Sequence, residues 1–258
     1  MVFAFVPAAH AAEGPGLGPA DPAPPFSRTE LRELLHRSVG DAKDLSTAPA
    51  RWNESQWVRF GEGVALVAVV YAGDQKIADA IRRNGHGRTG RYLHNVTNLG
   101  GGLGEHLTIA AVVAGYLSND ARLMNTGLDA FESSVWAAGL ITPAIKHVVG
   151  RARPIQDEGA RSYHPFNAHF ESFPSGHATN AFAIASAVAS RWEDHPSVGI
   201  VAYAIATSVA VARVNERAHF PSDVVAGALI GRVVARSIVH NHLTIMPMRR
   251  GLAATITF

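Results

Sequence analysis

The chain has 258 residues, 47% of them hydrophobic, which is enough to bury a substantial core in one domain or two small ones. Its formal net charge is only +2, so there is no broad basic stripe of the kind nucleic-acid binding needs, and no nucleic-acid partner is expected. Cysteine is absent, which excludes a cysteine nucleophile, a thiolate zinc site and a disulfide scaffold.

In chain order, Val2 to Ala12 is a short apolar stretch running into small residues. Ala9-His10-Ala11 has the shape of a signal-peptidase site, although the cationic start of an export signal is missing. Glu13 to Pro25 is Gly/Pro-rich and reads as a linker, so residues 1–25 are expected to be a signal remnant and tether. Residues 26–243 read as one helical domain, followed by a tail at 244–258 in which Leu252–Phe258 is expected to form a short strand. Ser27 and Glu30 make a capping-box pattern before a short amphipathic helix, and Asn53 or Ser55 opens another reaching about Ala72. A basic, Gly-rich loop (RRNGHGRTGR) follows. Further helices are predicted at about His106–Ser118, Asp129–Val149, His177–Trp192, Val198–Val214 and Pro221–Val239. Pro143 predicts a kink just before Lys146.

The fold class is therefore all-α, an antiparallel helical bundle. Its longest uncharged stretch, Ser197 to Ala212, falls short of the ~18 to 20 apolar residues of a membrane span. A mean hydropathy of +0.07 fits a water-soluble bundle better than a set of spans, yet polar residues also line membrane bundles, so both readings stay open. His240 and His242 are two apart, a spacing that does not share a helical face, so they read as a fraying helix end and no metal site is expected.

Three segments concentrate basic and imidazole side chains: Lys146-x6-Arg153-Pro154, Pro174-Ser175-Gly176-His177, and Arg213-x5-His219-x3-Asp223. The first lies at a predicted helix end, the second at a helix start, and the third joins an end to a start. Antiparallel packing through short connections brings all three to one end of the bundle. Arg153 and Arg213 then offer planar bidentate donors and Lys146 a point charge, which suits the equatorial oxygens of a phosphoryl group in transfer. Ser175 and Gly176 precede a helix whose free N–H groups favour an anion. Arg151 reads equally as a surface residue or as a cation behind the site, and Glu216 and Arg217 read as exposed loop charges.

The two histidines need opposite protonation states. An attacking imidazole presents a bare nitrogen, whereas a group that protonates the leaving alkoxide must hold a proton. His219 is the better nucleophile because Asp223, four residues on, is placed to accept its Nδ1–H and leave Nε2 free. His177, at a helix start, is the candidate general acid and later the base that activates water.

These three motifs, in this order, resemble the signature of the type 2 phosphatidic acid phosphatases, class A acid phosphatases and vanadium haloperoxidases. The resemblance covers Lys146 to Asp223. It implies His219 as nucleophile, His177 as acid, and Lys146, Arg153, Ser175, Gly176 and Arg213 as phosphate ligands. One departure is Ala212, where the family often has Ser before the third-motif Arg. The implied activity is metal-independent phosphomonoester hydrolysis through a phosphohistidine, on a lipid phosphate or a small ester. No cofactor is expected, with vanadate as an inhibitor. Alternatives are a vanadate-dependent haloperoxidase, with vanadate as prosthetic group, and a catalytically idle binder of phosphate or lipid headgroups. The expected location is the cell envelope, either membrane-associated with an extracytoplasmic site or soluble in the periplasm.

Overall fold

The computed structural model describes residues 28–84, 95–241, 244–248 and 251–255. The N-terminal stretch, the Ser27 cap and most of the Gly-rich loop therefore lie outside the described residues. The helices are α1 (Arg28–Thr47), α2 (Glu54–Tyr71), α3 (Asp74–Asn84), α4 (Gly102–Ser118), α5 (Ala121–Ser134), α6 (Thr142–Val149), α7 (Gly176–Arg191), α8 (Pro196–Asn215) and α9 (Pro221–Asn241). The fold is all-α, with a small antiparallel hairpin of Thr244–Met248 and Gly251–Thr255 appended to it.

Asn53 caps α2 with a reciprocal box: its side chain accepts from Gln56 N (3.0 Å), and Gln56 Oε1 accepts from Asn53 N (2.9 Å). Helix α5 starts at Ala121, eight residues before the expected Asp129. Its polar Asn125 and Thr126 are accommodated by bonding back to the preceding turn, to Ala121 O and Arg122 O (each 2.7 Å). Between α5 and α6 the chain widens into a π-helical segment, Val135–Ile141. Pro143 has no N–H to give the preceding turn and its ring crowds that turn's carbonyls, so the expected kink takes the form of a wider turn.

Helix α7 is the centre of the bundle. Its neighbour α9 approaches closely because Gly227 and Gly231 face it: a Cβ at Gly231 would lie 2.2 Å from Thr179 O, and one at Gly227 2.6 Å from Ser175 O. Around this crossing sits an Ala-rich core including Ala183, Ala187, Val234, Ala235 and Ile238. At one end of the bundle the buried Asp129 receives Arg37 from α1 and Arg191 Nε from α7, the latter at 2.5 Å. The three motifs gather at the other end.

The outer faces of α2, α4 and α8 are strongly apolar, with Phe60, Val69, Leu117 and Ile200 all more than half exposed. Among the described residues, α8 is the one helix long and apolar enough to cross a membrane by length and composition.

Candidate active site

Gly150 ends α6 in the left-handed conformation (φ 56°), its N–H returning to Lys146 O at 2.8 Å. A Cβ there would sit 1.9 Å from His164 O, so only glycine allows this turn against the following loop. The turn leaves Lys146 in the last helical turn and sends Arg151 to Arg153 across the bundle end. Backbone bonds tie the three motifs together. Ser175 N donates to Asp223 O (3.0 Å), Ser172 N to Arg151 O (2.9 Å) and Ile155 N to Arg217 O (3.0 Å). Gly176 and Lys146 meet directly, since a Cβ at Gly176 would fall 4.0 Å from Lys146 Cε.

Ser175 caps α7, its hydroxyl accepting from Ala178 N at 3.4 Å, so the N-terminal N–H groups of the helix face the ring of cations. Arg213 gives Nη1 to Glu216 Oε2 (2.6 Å), while its buried Nε has no partner among the described residues. Arg153 bonds through its backbone N–H to Gln156 Oε1 (2.6 Å), and no protein acceptor among the described residues meets its guanidinium. Lys146 Nζ donates to Glu171 O. A buried guanidinium nitrogen without an acceptor costs free energy, and an oxyanion held between these groups would satisfy it.

His219 is 2% exposed, and its Nδ1 lies 2.7 Å from Ser172 O. This corrects the expected pairing: Asp223 Oδ2 stands 3.8 Å from Nδ1, beyond hydrogen-bond reach, so it acts on the ring through its charge. Either way Nδ1–H is engaged and Nε2 is the free nitrogen. Asp223 is itself held by Arg151 Nη1 (2.5 Å), Ser172 Oγ (2.6 Å) and Phe220 N (2.8 Å). Of the two readings of Arg151, the cation behind the site holds and the surface residue does not: it is 1% exposed and also binds the buried Asp74 on α3 (2.8 Å). Glu216 and Arg217 are likewise half-buried and paired rather than free loop charges, Arg217 donating to Pro154 O (2.8 Å) and Asp157. His177 lies against the Asn98–Gly101 turn, where a Cβ at Gly101 would come within 3.3 Å of its Nε2.

Electrostatics follow from this crowding. Burial pushes the His219 imidazole down to about 4 against the pull of Asp223, so it is neutral at ordinary pH. Burial, then the charges of Arg213 and His219, bring His177 down to about 4 as well. Burial and the neighbouring Arg153 lower Lys146 to about 8. Burial alone would raise the Asp223 carboxyl, but His219, Arg151 and Ser172 hold it below the ordinary carboxylate range.

Residues 130–247, which contain every one of these motif side chains, match the family model of the PAP2 superfamily. That segment of the chain is a PAP2 superfamily domain. It is similar to a lipid A 1-phosphatase of Rhizobium etli, 40% identical over 103 residues, covering 38% of this chain and 43% of that one. A lipid A 1-phosphatase of Rhizobium johnstonii is 41% identical over 98 residues, covering 36% and 39%. The chain thus spans about two fifths of the length of these curated relatives. The crystal structure of a transmembrane PAP2-type phosphatidylglycerolphosphate phosphatase from Bacillus subtilis shares the fold. It has a TM-score of 0.53 and 24% identity, and covers 69% of this chain and 91% of that one.

The PAP2 motifs are where the sequence put them, at one end of the bundle. Sequence reasoning missed Ser172, whose carbonyl holds the His219 ring, and Asp74, which holds Arg151. Ser172 had a faint signal in its place just before Pro174-Ser175-Gly176-His177. Asp74 had none.

Proposed function

We propose that this PAP2 protein is a metal-independent phosphomonoesterase acting through a phosphohistidine on His219. The observation that carries the reading is a buried, neutral imidazole with Nδ1 engaged, set beside an Arg213 Nε that lacks an acceptor among the described residues. Lys146, Arg153, Arg213 and the N–H groups at the start of α7 bind the phosphoryl oxygens and take up the charge that builds on them. His219 Nε2 forms a bond to phosphorus as the bond to the leaving oxygen breaks, and His177 gives that oxygen its proton. His177 then takes a proton from water. The resulting hydroxide attacks phosphorus, the N–P bond breaks, and inorganic phosphate leaves with His219 neutral again.

Burial and the neighbouring Arg213 hold His177 unprotonated before substrate binds, but a bound dianion adds negative charge beside it and raises its affinity for a proton. The substrate thus creates its own acid. A catalytically idle anion binder would have no need of an oriented neutral imidazole backed by a buried carboxylate, which argues against that alternative.

The substrate class we propose is a lipid phosphate, with the protein associated with the membrane of the cell envelope. The apolar faces of α2, α4 and α8 support this, as do the activities named for the Rhizobium relatives. The test is hydrolysis of p-nitrophenyl phosphate and of a phosphorylated lipid in detergent micelles, both in EDTA, beside bromide oxidation with vanadate and peroxide. Hydrolysis inhibited by vanadate, and lost in His219→Ala, is expected. Bromide oxidation without hydrolysis would assign the chain to the haloperoxidases instead. Release of the protein from membranes by a carbonate wash would count against a lipid substrate.

A further inference from the structure

The PAP2 motifs leave one buried ion cluster behind the pocket unaccounted for, and one of its three ions, Asp74, comes from outside the matched segment. Arg151 uses all five of its N–H groups within the protein. Nε and Nη2 donate to Ala160 O (3.1 and 2.8 Å), Nη2 also to Asp74 Oδ2 (2.8 Å), and Nη1 to Ser222 Oγ (2.8 Å) and Asp223 Oδ1 (2.5 Å). Phe220, Tyr71 and Tyr163 close over the guanidinium at 4.3, 4.9 and 5.9 Å from their ring centres. Arg151 therefore has no donor left for substrate, unlike Arg213, and it is not a phosphate ligand.

Both of its grips lead to His219. Through its side chain Arg151 holds Asp223, whose other oxygen takes Ser172 Oγ and Phe220 N. Through its carbonyl it holds Ser172 N, and Ser172 O receives His219 Nδ1–H. Asp74, fully buried at the start of α3, fixes Arg151 from the far side and binds Ser222 N at 3.0 Å through its second oxygen. One cation thus lies between two carboxylates, and the cluster as a whole carries one negative charge.

We propose that Asp74 is a positioning residue of the active site: by sharing Arg151 with Asp223, it leaves net negative charge beneath His219 and fixes the ring's support. Without Asp74, Arg151 would pair with Asp223 alone and neutralise it. A cationic phosphohistidine would then form over an uncharged floor. The inference rests on the covalent role given to His219 above. The charged groups facing His219 are Asp223 on α9, Lys146 on α6 and Arg153 after it, with His177 at the start of α7. Asp74 acts on this set only through Arg151.

The test is the pH dependence of kcat/KM for purified full-length Asp74→Asn against wild type, with Asp74→Glu as the charge-preserving control. Losing a negative charge makes a nearby imidazole harder to protonate, so the acid limb of Asp74→Asn should move to lower pH. Its kcat should fall about tenfold at nearly unchanged KM, and Asp74→Glu should restore the limb toward wild type. A folded Asp74→Asn with the wild-type limb and kcat would overturn the proposal while leaving His219 as nucleophile. A His219→Ala protein that still hydrolyses substrate would instead overturn the covalent reading beneath it. Should Asp74→Asn not fold, Ser222→Ala removes the hydroxyl between Arg151 and Asp74 without changing charge. Its kcat should drop several-fold at unchanged KM, and wild-type kcat there would likewise overturn the proposal.

Discussion

Replacing Asp223 with Asn removes a full negative charge 3.8 Å from the His219 ring while keeping the side chain's size. Both groups are buried, at 0% and 2% exposure, so solvent screens the interaction little. With an effective dielectric constant near 20, two unit charges at that distance interact by about 4 kcal/mol. Formation of the phosphohistidine turns the neutral imidazole into a cation, so this attraction is felt in the transition state and hardly at all in the resting enzyme. Its loss corresponds to roughly a thousandfold fall in kcat. Phosphate and vanadate affinity should change by only a few-fold, because Lys146, Arg153 and Arg213 are untouched. The fold should survive, since Arg151 keeps Asp74 as a counter-ion. The assay is steady-state hydrolysis of p-nitrophenyl phosphate, with vanadate binding by calorimetry and a melting curve beside it. A kcat within tenfold of wild type, in a folded protein, would refute the electrostatic role given to Asp223.

The remaining expectations concern protons and stability. Lys146 loses its proton near pH 8, so kcat/KM should fall above that pH, and Lys146→Arg should move this basic limb upward with a cost in rate; an unmoved limb would assign it elsewhere. Phosphate binding should draw a proton onto His177 between about pH 4 and neutrality, and so tighten as pH falls. Calorimetry in buffers of different ionisation enthalpy should find net proton uptake, abolished in His177→Asn. His177 variants should also lose less rate with p-nitrophenolate as leaving group than with an alkoxide, which needs protonation. Asp129→Ala leaves Arg37 and Arg191 facing one another at the far end of the bundle. Urea denaturation should show a loss of about 3 kcal/mol, with kcat per folded molecule unchanged.

The three motifs were legible because helix ends carry their own punctuation. Gly150, Pro174-Ser175 and Pro221 stop and start helices whatever lies around them, and short connections force those ends together. Pro143 foretold a distortion, though not that a π-helical turn would absorb it. What stayed hidden depended on partners far along the chain. Asp120 opens α5 by accepting from Leu123 N, and the polar Asn125 and Thr126 stay helical by bonding to carbonyls of the preceding turn. Helix α3 is short and mostly polar, and its Asp74 looks like any acidic residue favoured by a helix N-terminus. Its meaning comes from Arg151, 77 residues later, and no periodicity encodes that distance. The same applies to Ser172: a carbonyl has no side-chain signature, so sequence alone offers Asp223, the nearest carboxylate, as the acceptor of His219 Nδ1–H.

The most direct measurement is rapid acid-free quenching of the enzyme mixed with a 32P-labelled phosphomonoester, followed by alkaline peptide mapping. Base-stable, acid-labile label on the peptide containing His219, absent from His219→Ala and accumulating in His177→Asn with an activated ester, is the expected result. Multiple turnovers with no label on that peptide at any time point, or equal labelling of the His219→Ala protein, would contradict covalent catalysis at His219.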